Sequence, residues 1–201
     1  KMSTTRVAAV VDTWLEVIAS DAYHRAVIDL LRSPLLFSDA SPLQRGALNL
    51  RIEALIQARG LVSGLDRMLV ELDVADAEAA ALFHRLREAR RALAPQQTAS
   101  IADWLRRLEK SLQLLGAEAP FAQDQAGREW LEWLHARTAE LSDDDARFSF
   151  SSWRTWFNRQ MDASLFRDES IDSPVVMTHL AATRLRRFEA AIVIGADTEH
   201  L

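Results

Sequence analysis

Ser100-Ile101-Ala102-Asp103-Trp104-Leu105-Arg106-Arg107-Leu108-Glu109-Lys110-Ser111-Leu112-Gln113-Leu114-Leu115-Gly116 decides the fold class of this chain. Its apolar residues Ile101, Trp104, Leu105, Leu108, Leu112 and Leu115 recur every three or four positions, the period of one helix face. Ser100 and Asp103 form a capping pair at the start, and Gly116 stands where a helix stops. Trp104, Leu108 and Leu112 are therefore predicted core residues. The same grammar extends in both directions, so the body of the chain reads as helix after helix.

Toward the amino terminus, Ala79-Ala80-Ala81 followed by Leu82, Phe83, Leu86 and Leu93 marks a helix capped by Asp73 or Asp76 and ending before Pro95. Its small residues permit close approach of a neighbour. A shorter helix is predicted from Leu61 to about Glu71. Before it, Ser41-Pro42-Leu43-Gln44 is a capping box with proline at the first turn, where its missing N–H costs nothing. Leu48, Ile52, Leu55 and Ile56 form the buried stripe behind that box, and Gly60 is the stop. A second helix runs from a cap at Ser20 or Asp21 to Ser33-Pro34. The first carries Val7, Val10, Val11, Trp14, Leu15 and Ile18. Toward the carboxyl end, Trp130, Leu131, Trp133, Leu134 and Leu141 mark one further helix, and Phe150, Trp153, Trp156, Phe157 and Met161 another.

Composition sets outer bounds. The chain has 201 residues, 49% hydrophobic and 26% charged, with a net charge of −5 and no cysteine. These are values of an ordinary soluble globular protein; they argue against a wholly basic nucleic-acid binder and exclude thiol chemistry. No apolar run nears the ~20 residues that span a bilayer, and the expected location is the cytoplasm. The six glycines lie at 46, 60, 64, 116, 127 and 195, so no phosphate-cradling loop of the G-x-x-x-x-G-K-[ST] or G-x-G-x-x-G type exists. The five histidines show no metal-binding spacing. Asp143-Asp144-Asp145, following Ser142, reads as a helix start or solvated turn rather than a metal cluster. No catalytic residue, cofactor site or metal site is expected. Trp104, Trp130, Trp153 and Trp156 fall on apolar stripes, so core packing is favoured over base stacking; Trp133 lies off its stripe and is the candidate for partial exposure. Arg85, Arg87, Arg90 and Arg91 surround Glu88 on one helix and read as a solvated face with local ion pairs.

The tail breaks the helical pattern. Val175-Val176-Met177 and Ala191-Ile192-Val193-Ile194 are short apolar runs without alternation, as in strands buried on both faces of a parallel sheet. Two such strands cannot cover both their faces, so the chain reads as an excised piece of a larger protein, with an incomplete sheet at its end. Between them lies an Arg-rich crossover. Arg184, Arg186 and Arg187 would leave the carboxyl end of a parallel strand, where open α/β sheets place ligands. Phosphate contact and a solvated loop are equally compatible with them.

In order and spacing this tail resembles the fifth conserved segment of the UvrD/RecB-type helicases, in which a strand leads into T-x-H-x-x-K-G-L-E-F-acidic and a second strand ends in Gly. With Phe188-Glu189 on the Phe-acidic pair, Arg184 takes the Lys place, Leu185 the Gly, Arg186 the Leu and Arg187 the Glu. His179 takes the Thr place and Ala181 the His place. Loss of that Gly and His resembles the degenerate AddB/RecC-like side of bacterial repair nucleases, in particular probable DNA repair proteins with a PD-(D/E)xK nuclease domain. Leu30-Leu31-Arg32-Ser33-Pro34-Leu35-Leu36 and Phe148-Ser149-Phe150-Ser151-Ser152-Trp153 resemble segments flanking the helical insertion of that family.

The resemblance implies a mainly α fold, a helical insertion of a RecA-like motor domain with a small parallel β remnant. Its parts would be a helical lead-in at 1–40, a helical bundle at 41–170 and a partial RecA-like α/β segment at 171–201. The implied function is a non-catalytic helicase-like portion of a DNA repair and recombination exonuclease that holds or guides DNA and docks other domains. The fragment itself would be no enzyme, while its parent would be a repair nuclease or helicase-like protein. Arg184, Arg186, Arg187 and His179 are the candidate nucleic-acid contacts. The partners would be DNA, the remaining parent domains and a helicase or nuclease subunit, with no membrane. The rival expectation is a helical protein–protein interaction module without a nucleic-acid role; a third is a small-molecule-binding helical regulator.

Overall fold

A computed structural model describes residues 1–39, 41–167, 187 and 189–193. The chain falls into two units, Lys1–Asp168 and Glu169–Leu201.

Among the described residues of the first unit a 3-10 turn at Met2–Thr4 leads into nine α-helices: α1 Arg6–Ala19, α2 His24–Leu31, α3 Pro42–Ala58, α4 Leu65–Ala75, α5 Ala77–Leu93, α6 Ile101–Leu114, α7 Glu118–Gln123, α8 Gln125–Glu140 and α9 Phe150–Ala163. The fold is mainly α. Among the described residues there is no strand, only an isolated antiparallel bridge between Ala99 and Phe148.

The starts of these helices follow from side-chain caps. Ser41 Oγ accepts from the Gln44 amide while the Gln44 side chain accepts from the Ser41 amide, completing the predicted box of α3. Asp76 accepts from the Glu78 and Ala79 amides at α5, and Ser100 from Asp103 at α6. Thr5, Asp124 and Ser149 do the same for α1, α8 and α9. Two starts differ from expectation. Neither Ser20 nor Asp21 caps α2, because both Asp21 and Ala22 adopt left-handed backbone, at φ 51° and 59°, and defer the helix to His24. Instead of capping, Ser20 Oγ donates to the Glu16 carbonyl and accepts from the Tyr23 amide. The fourth helix begins at Leu65 rather than Leu61: Leu61 still closes α3 by donating to the Ile56 carbonyl, and Gly64 donates to the Asp21 carbonyl before the turn.

Packing centres on α5 and α6, which lie against each other. The first also packs on α4 and the second on α8, while α1 touches α2, α8 and α9. One hydrophobic core runs through the unit from Met2 to Met161 and takes in residues 1–39 together with the rest. Trp104 and Leu108 are fully buried and Leu112 is 3% exposed, as the stripe on α6 requires. Trp14, Trp130 and Trp153 are fully buried too. Trp104 stacks on Trp153 with ring centroids 5.4 Å apart, and Trp153 meets Phe157 at 5.5 Å. Trp133 is half-buried, its edge against Phe157; Trp156 is also only half-buried, because it lies at the border of the α9 stripe. A fully buried hydroxyl sits in this core. Ser111, fully buried on α6, accepts from Trp14 Nε1 of α1 at 2.9 Å and donates to the Ala89 carbonyl of α5 at 2.7 Å.

Of the second unit, Ala191–Val193 are described and form no strand, and Ile192 is 90% exposed. A strand needs a neighbour to take its N–H and C=O groups, and the described residues supply none. The other predicted strand, Val175–Met177, lies outside the described residues, as does Ile194.

Candidate functional site

The candidate nucleic-acid contacts fall almost wholly beyond what the structure describes. His179, Arg184 and Arg186 lie outside the described residues; Arg187 is described and is exposed.

The other basic grouping, on α5, is resolved in full and is not a free face. Arg85 Nη1 donates to both carboxylate oxygens of Asp39, at 2.8 and 3.0 Å, its Nε donates to the Leu114 carbonyl, and its guanidinium lies 5.2 Å from the Phe37 ring centroid. Arg90 donates to Asp21 at 2.8 Å and Arg87 to His84 Nδ1 at 2.9 Å. Arg91, bonded to Glu88 one turn back, makes the local ion pair expected of a solvated face, and the Arg87 bond to His84 is likewise within one turn of α5. The partners Asp21 and Asp39 are dozens of residues away in sequence, so helical spacing could not have disclosed them.

The Arg90 bond fastens the turn between α1 and α2, and the Arg85 bonds fasten the segment between α2 and α3. From the other side Arg45 of α3 donates to the carbonyls of Leu36 at 3.0 Å, Pro34 at 3.4 Å and Ser33 at 3.5 Å. Phe37, buried at 3% exposure, holds φ 52° and donates its amide to the Leu115 carbonyl. A residue other than glycine keeps such a backbone only where its surroundings impose it. Hydrogen bonding from Arg85 holds the Asp39 carboxyl below its ordinary pKa of 3.8, and Arg51, bonded to Asp76 at 2.7 Å, does the same there.

Beside this segment opens a cleft of about 720 Å³ between the start of α3 and α7, lined by Pro34, Ser38, Asp39, Arg45, Pro120 and Gln123 among others. Its cation Arg45 is already engaged with backbone carbonyls, and its Asp39 carboxylate is held by Arg85. It contains no histidine or lysine to act as a general base. No group of three or more His, Cys, Asp or Glu residues able to hold a metal exists among the described residues. Asp143 ends a turn and the exposed Asp144 and Asp145 follow it as irregular chain, Asp144 accepting from the Ala146 amide, so the run is a solvated connection rather than a helix start.

No protein-family model, curated protein or solved structure matches this chain. No helix among the described residues is long and apolar enough to cross a membrane.

Proposed function

We propose that this chain is the non-catalytic, helicase-like portion of a bacterial DNA repair and recombination exonuclease, a helical insertion that holds or guides DNA and docks its neighbouring domains. The observation that carries the reading is a contact between two points far apart in the helical unit. The Met2 amide donates to the Ser164 carbonyl at 2.8 Å, and the turn at Met2–Thr4 packs on α9. Residues 2 and 164 thus lie side by side, an arrangement that suits a helical body inserted between successive elements of a host sheet. The order of residues in the tail, with Arg184, Arg186, Arg187 and His179 at the places of the helicase segment, supplies the second support.

The experiment is binding of single-stranded DNA across a salt series by the full-length protein, wild type against Arg184/Arg186/Arg187→Ala. Three phosphate contacts predict that the logarithmic salt slope falls by about 2, at about 0.7 per phosphate. An unchanged affinity and slope would leave the arginines as solvated residues and remove the DNA role. The second reading, a protein–protein interaction module, is favoured by one specific observation: the outer face of α3, where Leu43 and Leu50 are 84% and 70% exposed.

A further inference from the structure

The buried side of α3 presents Leu48, Ile52 and Ile56 to the core. At 100° per residue, Leu43, Ala47, Leu50 and Ala54 form a second stripe on the opposite side, spaced by four, three and four positions. All four are exposed. A helix apolar on both sides is ordinarily covered on both. The charges at the margins of the outer stripe are neutralised within the chain, Arg51 by Asp76 and Glu78 and Glu53 by Arg32, so they offer nothing to an oppositely charged partner.

We propose that a second copy of this chain covers the stripe, α3 packing antiparallel on α3 about a two-fold axis between Leu48 and Asn49. The pattern is self-complementary in that register. Leu43 of one copy meets Ala54 of the other, and Ala47 meets Leu50, so every large side chain faces a small one and the two helices approach evenly along their length. A parallel arrangement would set leucine against leucine and alanine against alanine, alternately wedging the helices apart and leaving gaps. In an antiparallel pair each margin faces the same margin of the partner, which sets Arg51 against Gln44 and Glu53 against Gly46 and opposes no like charges. A single helix pair of this length buries less than the ~800 Å² per partner of a standard stable interface, so the dimer is weak and concentration-dependent. The proposal is independent of the DNA reading, since no residue of the tail takes part.

Sedimentation velocity from micromolar to millimolar protein tests it. Wild type should pass from monomer to dimer, and Leu50→Glu should raise the dissociation constant by at least about tenfold, an effect well inside the range of interface hot spots. Helical circular dichroism should be unchanged, because Leu50 is 70% exposed; Ala47→Arg is the second variant, with the same expectation. The register has its own test, because the chain has no cysteine. A disulfide needs Cβ atoms within about 4 Å. Mixed Ala47→Cys and Leu50→Cys proteins should therefore cross-link to each other in preference to themselves. A monomer at every concentration, a dimer indifferent to both Leu50→Glu and Ala47→Arg, or cross-linking of like with like would overturn the proposal. The first two would assign the face to another molecule or to solvent.

Discussion

Replacing Ser111 with alanine should destabilise the helical unit by about 1–3 kcal/mol, the penalty for leaving a buried donor without its acceptor. The hydroxyl takes the Trp14 indole N–H at 2.9 Å and gives its own proton to the Ala89 carbonyl at 2.7 Å, with Trp14 and Ser111 both fully buried. Without the oxygen, the buried indole N–H loses its acceptor. The Ala89 carbonyl suffers less, since it keeps its place in the helical ladder of α5. The assay is urea unfolding followed by far-ultraviolet circular dichroism on four proteins: wild type, Ser111→Ala, Trp14→Phe and the pair. Trp14→Phe alone removes both the N–H and part of the ring volume, which costs several kcal/mol by cavity formation. In the double variant no donor is left orphaned, so it should be more stable than the sum of the singles predicts, by about 1–2 kcal/mol. A strictly additive cycle, or a Ser111→Ala protein within about 0.5 kcal/mol of wild type, would refute the claim that this bond joins α1, α5 and α6 in the core.

Acid should weaken the fold through Asp39 and Asp76. Both carboxyls are held below their ordinary pKa of 3.8, by Arg85 and Arg51 respectively, so the stability they contribute is present above that value and lost as pH falls through their lowered folded-state values. The urea midpoint should drop as pH is taken below about 5, and less steeply in Arg51→Met; identical pH profiles would remove the Arg51–Asp76 contribution. Gly127→Ala should cost about 3 kcal/mol or displace α7, because an added Cβ would lie 2.2 Å from the Phe121 carbonyl oxygen. Thermal unfolding measures it, and a neutral result would mean that α7 and α8 do not approach as closely as described.

What the sequence disclosed is what acts over three or four residues. The capping box at Ser41 and Gln44, the cap at Ser100, the α6 stripe and the stop at Gly60 were all legible, because each is a local relation between neighbours on one helix. What it concealed acts across the fold. Arg85 and Arg90 resemble a solvated face until Asp39 and Asp21 are brought beside them by loops. Ser111 looks like a polar interruption in an apolar stripe until Trp14 and Ala89 are seen around it. The short α7 escaped notice because a six-residue helix with Pro120 inside it has too few turns to show a period. The outer stripe of α3 was hidden for another reason. Alanine is ambiguous between a good helix former and an interface residue, and only the exposure of Leu43 and Leu50 separates the two. The candidate site was the least legible part, since its argument rests on a tail of which Arg187 alone among the four candidate residues is described.

The bond between Met2 and Ser164 also bears on the entropy of any larger chain that contains this unit. A flexible loop of this length would penalise its host by an amount that grows with the logarithm of the number of residues. A folded guest joined to its host at two points that already touch has borne that cost within its own folding equilibrium, and the host experiences only a short closed connection. The two equilibria are then coupled at one point. Unfolding the guest would release a long disordered loop into the host and weaken it by the closure term alone, whereas unfolding the host would leave the guest's core from Met2 to Met161 intact. In a chain that inserted such a unit into a sheet, mutations could change its stability with little consequence for that sheet so long as the unit stayed folded.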